Sequence, residues 1–136
     1  MMKKRCRRER GATAVEFALL MPIFLLILAG VFDLGKYYWE QHVLSAAARE
    51  GARAASMSRT ADVDGVVRNY LNNYGGIDAN SVSVSLTTEP LPGDAANTLE
   101  VVTVTKPYDF FMLSRLMSAY TQSVTIMGRA KMIKEI

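Results

Sequence analysis

The chain has 136 residues, half of them hydrophobic and 21% charged, which allows one ordinary domain and excludes wholesale disorder. Positions 1–11 hold six basic residues against Glu9, and the rest of the chain holds ten basic against twelve acidic side chains. The alkaline balance therefore belongs to a short terminal stretch, and a basic nucleic-acid-binding domain is a poor reading. One cysteine and one histidine build neither a Cys/His zinc site nor a disulfide framework, so no metal centre is expected. Serines and aspartates are plentiful, but no nucleophile–base pair or glycine-rich phosphate loop stands out. The expectation is a non-enzyme without a cofactor and without a nucleic-acid partner.

After the basic stretch comes Phe17–Phe32, an apolar run of 16 residues without a charge. With Ala12–Val15 and Glu16 in front, a helix over 12–32 rises about 31 Å, close to the ~30 Å hydrocarbon core of a bilayer. Lys36, Tyr37, Tyr38 and Trp39 follow as an interfacial belt. The positive-inside rule gives one span, about 12–35, with the N-terminus in the cytoplasm and the rest outside. A secretory signal peptide shares this layout, but its apolar part usually spans only about 7–15 residues and ends in a small-x-small site. A lipoprotein needs its cysteine after the run, whereas Cys6 precedes it. Arg7-Arg8 lacks the apolar residues expected soon after a twin-arginine pair.

Glu16 is the residue out of place. A charge at mid-bilayer costs about 2.5–3.5 kcal/mol on insertion scales. Two readings stand: a carboxylate snorkelling at the cytoplasmic interface, or a functional group that needs a cation at its own depth. A cut after Gly11 would supply that cation, with Ala12 as the new α-amino group and Glu16 the fifth residue. Gly11 also offers a protease an unhindered backbone. Pro22 removes one backbone donor and crowds the Ala18 carbonyl. It reads either as a tolerated membrane proline or as a point where the helix adapts during assembly.

The helical pattern continues without proline to about Ser56. Ala47, Gly51 and Ala55 form a small-residue stripe at i, i+4 and i+8, suited to close backbone approach by the chain's own sheet or by another subunit. Arg49 and Arg53 lie one turn apart on a neighbouring face, with Glu50 in reach of Arg53. They read as a solvated face or as contacts between protomers. His42 is expected on the exposed side.

Beyond Ser56 lies an outer segment, 58–136. Thr60 or Asp62 caps a second helix with Val63, Val66, Val67, Tyr70, Leu71 and Tyr74 on one face, ended by Gly75-Gly76. Ser81–Thr87 alternates as a half-buried strand with Val82, Val84 and Leu86 inward. Leu99–Lys106, apolar on both faces at Val101-Val102, is a central strand. Thr88–Thr98 between them reads as a long loop, either a contact surface or plain solvent-exposed chain. Pro107 opens a linker into a helix over Phe110–Tyr120, with Leu113, Leu116, Met117 and Tyr120 sharing a face. A third strand follows over Gln122–Lys131, with Val124, Ile126 and Gly128 on one side.

The residues Gly11, Glu16 and Phe17 in RGATAVEFALL, then Pro22, GVFDLG (Gly30–Gly35) and AAREGARAAS (Ala47–Ser56), together resemble the TadE-like minor pilins of the tight-adherence (Tad, or Flp) pilus system. The resemblance covers about residues 11–56. It implies cleavage between Gly11 and Ala12 by a prepilin peptidase, with Glu16 and Phe17 completing the processing motif and residues 1–11 as the leader. It implies a pilin-like α+β fold: a long N-terminal helix over 12–57, packed at its outer half on a small antiparallel sheet of about three strands. The implied role is biogenesis or structure of adhesive Tad/Flp pili. The implied partners are the lipid bilayer, the peptidase, the major Flp pilin and other minor pilins, and the Tad assembly machinery. The implied location is the bacterial inner membrane and, after assembly, the pilus. Major Flp pilins are little more than the apolar helix, so the long outer segment points to a minor pilin. The alternative is a single-pass anchored periplasmic binding module that never enters a filament.

Overall fold

In the computed structural model, residues 5–57, 62–116 and 124–134 are described. The first helix, α1, runs unbroken over Arg5–Met57, 53 residues, a rise of about 80 Å. It continues through Pro22 and begins upstream of Gly11, so the basic stretch from Arg5 onward is helical too. The chain divides into two compact units, Met1–Gly35 with Phe110–Thr121, and Lys36–Asp109 with Gln122–Ile136.

In the first unit, α1 is exposed all round from Gly11 to Leu28, and it is long and apolar enough to cross a membrane. A helix this apolar with no protein around it has its hydrophobic surface covered by something other than its own chain. A short helix, α3 (Phe111–Leu116), completes the described part of this unit. The apolar face expected on it falls outside the described residues at Met117 and Tyr120, as do the side chains of Leu113 and Leu116.

The second unit is a three-stranded antiparallel sheet in the order β1-β2-β3, with β1 at Ser83–Leu91, β2 at Asp94–Tyr108 and β3 at Val124–Ile133. The central place of β2 follows from its residues: Val101, Val102 and Val104 are all buried. One face of the sheet carries Val102, Val104 and Tyr108 of β2 with Ile126, Gly128 and Ala130 of β3, in register through Val104↔Gly128 and Val102↔Ala130. Against this face pack Leu44, Ala47, Ala48 and Ala52 of α1, all buried. The outer half of α1 is thus the core helix of this unit, which is the α+β layout expected.

The second helix, α2 (Val63–Tyr70), starts where its cap residue dictates. Asp62 accepts a hydrogen bond from Gly65 N at 3.0 Å, the usual remedy for the unpaired donors of a helix start. Thr60, the other candidate, lies outside the described residues. Val63, Val67 and Leu71 point inward as the spacing predicts, but Tyr74 is 76% exposed. The reason is a wide helical turn over Leu71–Gly75. Its i→i+5 bonds shift the phase of the helix, so Gly75 rather than Tyr74 turns inward. Tyr74 instead leans on Tyr70, with ring centroids 5.3 Å apart, and Gly76 closes the turn in the left-handed region.

Three further expectations are corrected. The long loop over Thr88–Thr98 does not exist, because both strands run through it and pair Glu89↔Leu99 and Pro90↔Thr98 before a register shift. The connection is a tight turn at Pro92-Gly93, with Gly93 at φ 93°. Proline followed by a positive-φ glycine is the chemistry of a type II turn. Leu86, expected inward, is 49% exposed, since β1 is an edge strand. The strand–linker boundary at Pro107 also moves, as β2 continues to Tyr108 and Pro107 pairs with Thr125. Gln122, the expected start of β3, lies outside the described residues.

Candidate processing and assembly site

Gly11, Ala12, Glu16 and Phe17 lie on one exposed helical stretch of α1. A Cβ added to Gly11 would meet nothing within 4 Å, so nothing else in the described residues packs against the helix at that position. Ala12 and Glu16 are four residues apart on α1, about one helical turn, so their side chains lie on the same face. Phe17 is 62% exposed and begins the apolar surface that continues to Leu28.

At the far end of the apolar run stands Asp33, of the Gly30–Gly35 motif. It is buried, and its carboxylate accepts from Met112 N at 3.0 and 3.3 Å. Asp33 therefore caps α3, which has no acidic residue in its own first turn. Sequence reading quoted this aspartate within a motif and gave it no role. A carboxylate at the end of a membrane-length run is the signal that was there to find.

The belt residues behave differently from a simple interfacial row. Lys36 pairs with Glu40 at 3.8 Å and lies 5.8 Å from the centroid of the Tyr108 ring. Tyr37 meets Tyr108 edge-on, with centroids 5.5 Å apart. Glu40 is almost fully buried, its carboxylate 2.6 Å from the Lys106 ammonium of β2. From the sequence, Lys36 reads only as part of the interfacial belt, and Glu40 has no assigned role. Lys106 could be matched to Glu40 only once the register placed it on the helix-facing side of β2, beside Ile126. Tyr38 and Trp39 remain exposed, as an interfacial pair would be.

Ala47, Gly51 and Ala55 are buried within the second unit. A Cβ on Gly51 would meet Val67 Cγ2 at 2.7 Å, and Val102 and Val63 at 3.4 Å. The stripe is therefore packed at Gly51 against the chain's own α2 and β2. Arg49 and His42 are exposed, and Arg53 stands 3.5 Å from Glu50 with both side chains in solvent. An exposed pair of this kind holds little energy and leaves both ends available to a neighbour.

On the outer face of the sheet, Glu89 of β1 reaches across β2 to Lys131 at 2.6 Å and Arg129 at 2.8 Å of β3. The in-register strand between them carries Val101, only 1% exposed although it faces away from the helix. The aliphatic stems of the charged pairs account for that cover. The hydrogen bond from Lys131 holds the Glu89 carboxyl below the ordinary glutamate range; partial burial opposes this and the Lys131 and Arg129 charges add to it. A depressed carboxyl stabilises the fold above its ordinary value and loses that contribution as pH falls through the depressed one. The tie is therefore intact at neutral pH. Glu100, buried on the other face, is matched by Lys134 at 2.9 Å and the Thr88 hydroxyl at 3.1 Å. Arg68 is held above the ordinary arginine value by its hydrogen bond to Asp64.

Among the described residues no group of His, Cys, Asp and Glu could hold a metal ion. No curated protein and no solved structure matches the chain. A family model does match, that of the TadE-like protein, over residues 11–53. Those residues contain the Gly11…Glu16-Phe17 pattern, the membrane-length run, Asp33 and most of the small-residue stripe. Over residues 11–53 the chain is thus similar to the TadE-like family.

Proposed function

We propose that the chain is a minor pilin of a Tad/Flp-type pilus, inserted once in the inner membrane and acting in pilus biogenesis or structure after loss of residues 1–11. The observation that carries this reading is the family match falling on a helix whose apolar half is bare while its outer half is the core of a folded unit. A subunit built so has one surface for lipid before assembly and the same surface for neighbouring helices afterwards. TadE-like proteins are a pilus-associated family rather than an enzyme family.

The mechanism starts at Gly11. Helical peptide bonds are poor protease substrates, and glycine in a helix interior weakens it by about 1 kcal/mol relative to alanine, which eases local opening at the Gly11–Ala12 bond. A prepilin peptidase at the cytoplasmic face cuts there and removes the basic leader together with Cys6. The new Ala12 ammonium, on this chain or a neighbour, then pairs with Glu16. In a low-dielectric setting such a pair offsets its desolvation only in good geometry, so it acts mainly on the register between subunits. Pro22 gives the helix a point of adjustment during that transfer, and the exposed Arg49 and Arg53 are candidates for contacts with the major pilin or other minor pilins.

Intact mass of the chain produced with and without its prepilin peptidase tests the reading. Loss of about 1.4 kDa, the mass of residues 1–11, is expected only with the peptidase. A full-length product under both conditions leaves a permanently anchored periplasmic module, and a cut beyond Ala29 leaves an ordinary signal peptide. Glu16→Gln should insert normally yet impair pilus assembly, scored by membrane fractionation and pilus counts. Normal piliation in that variant sinks the Glu16 mechanism.

A further inference from the structure

We infer that α3 is a second lipid-contacting element, lying in the outer interface of the membrane that α1 crosses, and that Asp33 sets its depth. The inference rests on the membrane-spanning reading of α1. Three observations lead to it, all within one compact unit.

The first is position along α1. From Ala12 to Asp33 the helix rises about 31 Å, the thickness of the hydrocarbon core, so Asp33 stands at the outer boundary. Its carboxylate bonds Met112 N at 3.0 Å, which brings the start of α3 to the same level. The second is surface: α3 opens with Phe111 at 61% and Met112 at 44% exposure. On α1 at that level, Val31, Phe32 and Leu34 are exposed as well. The apolar surface of α3 is thus continuous with the band that faces lipid, and a bilayer covering one covers the other.

The third is the hydrogen-bond account. A helix end in a weakly hydrated layer must have its free donors matched, because water is scarce there. Asp33 matches the Met112 donor with a buried carboxylate, although Gly30–Gly35 would otherwise be a purely apolar end to the run. The occupant is lipid rather than a second copy because the surface is an extension of a lipid-facing one and the capped end suits low water activity. Aromatic side chains such as Phe111 enter the headgroup–acyl boundary by about 5–10 Å in interfacial helices.

The test is fluorescence of the full chain in vesicles, in a Trp39→Phe background so that one tryptophan is present at a time. The probes are Phe111→Trp and, as the membrane control, Leu25→Trp, each read against brominated phosphatidylcholine and against aqueous iodide. Phe111→Trp should be quenched by lipid bromines placed high on the acyl chain, about half as deeply as Leu25→Trp or more, and be shielded from iodide. Adding Asp33→Ala should lower that lipid quenching and raise the iodide quenching. Iodide quenching without lipid quenching at position 111 overturns the inference. So does shielding from both, which means cover by a second copy, and so does indifference to Asp33→Ala. If Leu25→Trp itself escapes lipid quenching, the membrane reading of α1 has failed, a result distinct from failure at α3 alone.

Discussion

Gly128→Ala should lower the melting temperature of the folded unit by on the order of 15 °C, the equivalent of about 3 kcal/mol in a unit of this size. A Cβ at Gly128 would lie 2.6 Å from Ser45 N and as close or closer to the Leu44 carbonyl group. These are backbone atoms in the middle of α1, which have no rotamer to change. Either β3 moves off the helix or the helix moves off the sheet, and both open the contact that Leu44 and Ile126 fill. Gly51→Ala is the contrast. Its new methyl meets the end of a valine side chain at 2.7 Å, and alanine gains about 1 kcal/mol of helix propensity. A change under about 5 °C is expected there. Trp39, the single tryptophan, reports the transition in the full chain held in detergent. Similar shifts for the two glycines mean that α1 does not meet β3 backbone to backbone.

That contrast marks what the sequence could and could not tell. The small-residue stripe was visible as a spacing, because i, i+4 and i+8 fall on one helical face whatever lies opposite. The glycine that matters most lies in a strand, where it looked like one more alternating position. Glycine inside a strand marks close backbone approach, but only the fold shows which backbone approaches. The strands themselves were legible from alternation, and the centre of the sheet from Val101-Val102. Their true lengths were not, because Thr, Asn, Asp and Pro over 88–98 weigh as loop residues, while the ladder extends through them to Pro92-Gly93. Local composition decides a loop only when no partner strand offers hydrogen bonds. Tyr74 failed for a different reason: a phase change in the helix is invisible to a fixed period. At the N-terminus the reading from Gly11, Glu16 and Phe17 rested on a short pattern in one helix, which needs no tertiary information. Asp33 and Glu40 were missed because each finds its partner far along the chain, at Met112 and Lys106.

The Glu40–Lys106 pair carries the other large expected effect. Glu40→Leu should cost about 3 kcal/mol, since it leaves the partly buried Lys106 ammonium facing Lys36 with no carboxylate between them. Lys106→Met should cost a similar amount, because Lys36 at 3.8 Å is a weak remaining partner for a carboxylate held out of water. The double variant Glu40→Leu with Lys106→Met should recover most of either loss, as apolar replacements of similar volume remove both desolvation terms at once. A double-mutant cycle on the Trp39 melting transition then gives a coupling of about 2–3 kcal/mol. Additive losses, or single variants within a few degrees of the parent, show that solvent reaches the pair and that it holds nothing. For the filament role proposed above, the coupling bears on orientation as well as on stability. Apolar packing of Leu44, Ala47 and Ala48 tolerates small rotations of α1, because dispersion contacts are many and individually weak. A 2.6 Å charge-assisted bond does not, and it fixes one angular setting of the Lys36–Gln41 turn against β2. Variants that lose this bond should keep the fold of the sheet yet broaden the orientation of α1 on it, so a pilus assembly defect in the rescued, stable double variant would separate orientation from stability.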